Sequence, residues 1–101
     1  MGKRIELHGK LKTILGSDHV YFQPPRNVRL KFPCIIYELN RYDIQYADDT
    51  SYIGTKGYTV TYISQDPDDE TWENIMKLPH CSFNRFFTAD DLNHWVLELY
   101  Y

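Results

Sequence analysis

The chain has 101 residues, a formal net charge of −3 and two cysteines. That length fits one domain with a real but modest core. So weak a negative charge argues against a module that binds nucleic acid by neutralising phosphates, and two cysteines are too few for a disulfide framework. Aromatic residues make up 16% of the chain, nine of them Tyr; such rings bury large areas, keep a polar handle and are enriched at interfaces. There is no secretory signal and no apolar run near roughly 18 residues, so the sequence reads as cytosolic and without a membrane span. Charge is unevenly spread: residues 1–41 carry +5 and residues 42–101 carry −8. A chain of this length can drift so far by chance, yet the split also suits a head-to-tail contact between subunits.

Residues 4–15 read as a helix, because Leu7, Leu11, Ile14 and Leu15 form one stripe while Arg4, Lys10 and Lys12 lie off it. Gly16 is a natural stop. Gly9 weakens this helix by up to about 1 kcal/mol against Ala, so packing must hold it. Val20-Tyr21-Phe22, closed by Pro24-Pro25, predicts a small edge strand. Pro33 then leads Cys34-Ile35-Ile36-Tyr37-Glu38-Leu39, a run of branched and aromatic residues that suits a pleated surface. It is apolar on both faces, which places it centrally in a sheet. From Asn40 the run turns polar with interleaved aromatics, so a single strand over about 34–46 leaves the core and projects outward.

Residues 47–57 carry loop chemistry, with Asp48-Asp49-Thr50-Ser51 and Gly54-Thr55-Lys56-Gly57. They predict a long mobile connection in which Tyr52 and Ile53 are either tucked against the strands or wait for a partner. Tyr58–Ile63 alternates and predicts a strand antiparallel to the previous one. Asp66-Pro67-Asp68-Asp69-Glu70 predicts a helix start, with Asp66 as N-cap and Pro67 at the first helical position. Trp72, Ile75 and Met76 give helical spacing, and Pro79 ends the helix early. Residues 81–87 read as an apolar linker or short strand, 88–91 as a turn, and 92–101 as a final strand. The expected fold is α+β: a small, mostly antiparallel sheet with two helices on one face, in the order α-β-β-β-α-β. Its core should hold Leu7, Leu11, Ile14, Leu15, Ile35, Tyr37, Val60, Trp72, Ile75, Met76, Trp95, Leu97 and Leu99.

Chemistry-bearing residues do not converge in the sequence. His8, His19, His80 and His94 are scattered, and His80-Cys81 lacks the second close pair that a zinc site needs. Cys34 with His94 could serve as nucleophile and base, but nothing orients a third group. The acids at 66–70 lack the glycine and bidentate Glu of a calcium loop. Gly54–Gly57 has the wrong length for a phosphate loop. The expectation is therefore no enzyme, metal or cofactor.

The opening helix, Val20-Tyr21-Phe22-Gln23-Pro24-Pro25 and Phe32-Pro33-Cys34-Ile35-Ile36-Tyr37-Glu38 together resemble the tail terminator proteins of long-tailed bacteriophages and prophages. Ala47-Asp48-Asp49, Asp66-Pro67-Asp68 and Asp91-Leu92-Asn93-His94 extend the likeness over nearly the whole chain. The resemblance implies an α/β sandwich that forms a hexameric ring at the head-proximal end of the tail tube. Such a ring ends tube growth and offers the surface for head joining. The implied partners are further copies of the chain, the tail tube protein and the head–tail connector protein, with DNA passing through the ring without sequence-specific binding. The implied location is the virion tail, assembled in the host cytoplasm. A related connector ring and a stand-alone peptide-binding adaptor are the alternatives. Contacts with other subunits or the tube are expected at Arg41, Tyr42, Asp43, Gln45, Tyr46, Asp48, Asp49, Tyr52, Ile53 and Lys56, where the long strand leaves its core.

Overall fold

The computed structural model describes the backbone of residues 3–25, 27–47 and 51–101, and the side chains of these except at 3 and 41–55. The apolar stripe at the start of the chain forms helix α1, Lys3–Leu15, and buries Leu7 and Leu11 completely. Gly16 closes it at φ 81°, its N–H donating to the Lys12 carbonyl at 2.8 Å. This left-handed position suits glycine. The elements that follow are β1 (Val20–Phe22), β2 (Cys34–Ala47), β3 (Ser51–Ser64), α2 (Thr71–Met76), β4 (Cys81–Ala89) and β5 (Leu92–Tyr100). The order is thus α-β-β-β-α-β-β, one strand more than the sequence predicts, because residues 81–89 form a full strand.

The five strands make one sheet in the order β1-β2-β3-β5-β4. Only β1 runs parallel to its neighbour β2; all other pairs are antiparallel. Both helices cover one face. There Leu7, Leu11 and Ile75 meet Ile35, Tyr37, Tyr58, Val60, Tyr62, Trp95, Leu97 and Leu99, with Ile14, Leu15, Trp72 and Met76 packed alongside. All thirteen predicted core residues therefore lie in this cluster or against it. Trp72 of α2 stacks on Trp95 of β5 at 6.2 Å and 9°. On the opposite face Cys34, Ile63 and Val96 are also buried. The connection from β1 must return to the start of a parallel neighbour, and its Lys31 N–H reaches the Tyr21 hydroxyl on this second face at 3.4 Å.

Two predicted elements differ. Residues 51–57 belong to strand β3 and not to a loop: they pair in register with 41–47, from Arg41↔Gly57 to Ala47↔Ser51. The partner strand supplies the ladder that Gly54 and Gly57 would not favour alone. A bulge between Leu39 and Arg41 leaves Asn40 as the extra residue. Helix α2 begins at Thr71, not at Asp66. Asp66 instead accepts the Asp68 N–H at 2.9 Å, closing a turn of its own. Asp69 accepts the Thr71 N–H at 2.9 Å, so short acidic side chains bond locally before the helix starts.

Candidate functional site

Two surface features stand out: an arm and an open sheet edge. The arm follows from strand lengths. β2 and β3 each run for 14 residues, but β1 pairs with β2 only at 35–37, and β5 pairs with β3 only from Gly57 to Ser64. Residues 42–47 and 51–56 therefore pair with each other and, among the described residues, with no third strand, and they stand out from the sheet. The molecule extends 51 × 25 × 23 Å along its principal axes. At the arm's base the Tyr101 N–H donates to the Lys56 carbonyl at 3.0 Å, and Asn40 Nδ2 bonds Thr59 Oγ1.

Most of the predicted contact residues lie on this arm. The register sets Tyr42 against Lys56, Asp43 against Thr55, Gln45 against Ile53 and Tyr46 against Tyr52, with Arg41 opposite Gly57. Lys56 is exposed. Asp48 and Asp49, and the predicted tip of the connection, lie outside the described residues.

The open edge is β4. Every residue from Ser82 to Ala89 is exposed, including Phe83, Phe86 and Phe87 at 45%, 47% and 37%. Phe83 and Phe86 face the helices and rim the tryptophan stack, Phe83 at 5.6 Å from Trp72 and Phe86 at 5.3 Å from Trp95. Phe87 lies on the other face, stacked on His94 at 4.5 Å, with the Arg85 guanidinium 5.2 Å from its ring. A bulge between Phe83 and Arg85 frees Asn84, whose amide donates to Glu98 at 2.7 Å. The β4–β5 turn places Asp90 and Asp91 at φ 54° and 63°, the two-residue geometry whose twist matches a hairpin. Phe83, Arg85, Phe86 and Phe87 were not among the expected contact residues. Their signal in the sequence is three phenylalanines within five residues, with neither proline nor lysine to blunt the strand.

The polar groups beneath these surfaces serve the fold. Tyr37, buried at the centre, accepts from Arg4 at 3.2 Å and lies 2.7 Å from His8 Nδ1. With Arg4 donating, the Tyr37 hydroxyl proton is free to point at His8, which fits a neutral imidazole. Burial, with Lys12 and Arg4 nearby, pushes the His8 pKa down. Tyr62 donates to Asp69 at 2.6 Å, and Ser64 donates to the same carboxylate oxygen at 2.9 Å. Burial pushes the Tyr62 hydroxyl up to about 12, helped by that carboxylate.

Cys34 and Cys81 are free thiols, each pushed up to about 11 by burial. Cys34 pairs across to Ile63, and Ile63 to His94, so Ile63 stands between the thiol and the imidazole. Among the described residues no group of three His, Cys, Asp or Glu side chains gathers as a metal-ligand set. No helix among them is long and apolar enough to cross a membrane. The chain matches no protein-family model and no curated protein.

Proposed function

We propose that the chain is a structural subunit of a ring at the head-proximal end of a phage tail tube, where it ends tube growth and provides the head-joining surface. The carrying observation is that a small sandwich bears both a two-stranded arm and an unblunted aromatic edge strand. A subunit repeated head to tail needs two unlike surfaces of this kind. The resemblance of the sequence segments, in order, to those of tail terminator proteins supports this assembly and location; a connector ring at the same joint is the near variant. The test is removal of the encoding gene from the particle that carries it. Tails should then lose their fixed length and fail to join heads, and supplying the chain should restore both. Tails of normal length that still join heads would refute the reading.

A second reading, a stand-alone adaptor that takes a peptide as an added strand, is favoured by the β4 edge alone. Light scattering separates the two readings. An adaptor stays monomeric at every concentration and appears in no tail.

A further inference from the structure

We propose that the outer edge of β2 in the arm, residues 41–47, adds as a sixth strand beside β4 of a second copy of this chain. The proposal rests on the assembly reading above, since it requires repeated copies. It starts from backbone groups that need partners. A strand at the edge of a sheet offers a row of N–H and C=O groups, and natural sheets protect such rows by shortening, proline, lysine or a cover. β4 is nine residues long, contains neither Pro nor Lys, and is exposed from Ser82 to Ala89. Its bulge falls at one position and leaves Arg85–Ala89 regular. At the rise of a β-strand, this edge is about 30 Å long. The arm presents the matching feature: over 41–47 no strand lies on the outer side of β2 among the described residues.

Charge selects between the candidate strands. β4 carries a single charge, Arg85. A two-fold β4–β4 contact centred there would set arginine against arginine, and like charges directly opposite are destabilising. The β3 side of the arm, 51–57, carries only Lys56 and would repel as well. The β2 side carries Asp43, and the sequence continues into Asp48-Asp49, against one base at Arg41. It also brings Tyr42, Ile44 and Tyr46 to an edge whose exposed side chains are Phe83, Phe86 and Phe87; aromatic and branched cross-strand pairs stabilise a sheet. The contact is heterologous, because one copy gives its arm and the other its edge, so it repeats around a ring.

The test is disulfide trapping in a Cys81→Ser background, with Ile44→Cys or Gln45→Cys on the arm and Thr88→Cys or Ser82→Cys on the edge. Cys34 is fully buried and stays out of reach. Mixed oxidised chains should give one arm–edge pair that converts a large share of the protein into reducible dimers, whereas arm–arm and edge–edge mixtures should stay monomeric after oxidation. In parallel, Arg85→Glu should weaken self-association severalfold, with the thermal midpoint unchanged because Arg85 is exposed, and Asp43→Lys in the same chain should restore association. Rings that assemble with no arm–edge link would overturn this contact and leave the tail-end role standing. A chain that never self-associates would overturn it too. The tail-end role itself falls only if tails are normal without the chain.

Discussion

The stability of single residues follows from what they touch. Leu11 is fully buried between α1 and the sheet. Leu11→Ala should cost about 2–5 kcal/mol, read as a fall in the denaturant midpoint at unchanged slope. His8 gives a pH dependence of definite sign. Its folded-state pKa lies below the ordinary 6.5, so the unfolded chain takes the proton first as pH falls. Stability is then full above about pH 6.5 and declines below it until the folded imidazole also protonates. Asp69 adds a second loss at lower pH. Burial would raise its pKa, but hydrogen bonds from Tyr62, Thr71 and Ser64 outweigh that and hold it below 3.8. The stability those bonds give is lost as pH falls through the depressed value. Thermal melts between about pH 7.5 and 5.5 should show a decline that His8→Gln flattens, and melts continued below about pH 4 should show a second decline that Tyr62→Phe changes. Equal slopes in all three proteins would contradict the assignment.

At the scale of elements, what the sequence made legible tracks how local each signal is. α1 and β5 are readable because Leu7 and Leu11, or Trp95, Leu97 and Leu99, repeat at the period of their own element. β2 is readable to within a residue of its end at Ala47, since aromatic and branched residues continue along it. β3 before Tyr58 is not, because Ser51, Gly54, Thr55 and Gly57 are turn formers whose strand geometry comes from pairing with 41–47. β4 is half-hidden for a related reason: the bulge at Asn84 breaks the alternation that would have marked a nine-residue strand. The start of α2 is not legible, because the Asp66 and Asp69 carboxylates bond in local turns and to Tyr62. Most of the expected contact residues lie on the arm, but the aromatic edge is not legible in the sequence, since exposure of an apolar strand is a tertiary property. The β4–β5 turn offers a direct check. Asp91 sits at φ 63°, where glycine carries no steric penalty, so Asp91→Gly should raise stability by up to about 1 kcal/mol. A lower thermal midpoint would contradict the turn geometry.

At the scale of the whole molecule, the sandwich is a platform for two unlike surfaces. The arm lies at the end of the sheet where Gly57 meets Tyr100, and β4 forms the edge beyond β5. Exposed ion pairs contribute only about 0–1 kcal/mol each, so in the proposed contact between copies aromatic burial must supply most of the affinity. Raising salt should therefore weaken association modestly, while Phe86→Ala or Tyr42→Ala should weaken it more, as sedimentation over a concentration series would show. The measurement that tests the central claim most directly is electron microscopy of purified tails carrying a labelled copy of this chain. A closed ring of six labelled subunits at the head-proximal end of the tube is the predicted result. Tails without the label at that end, or with it spread along the tube, would contradict the account.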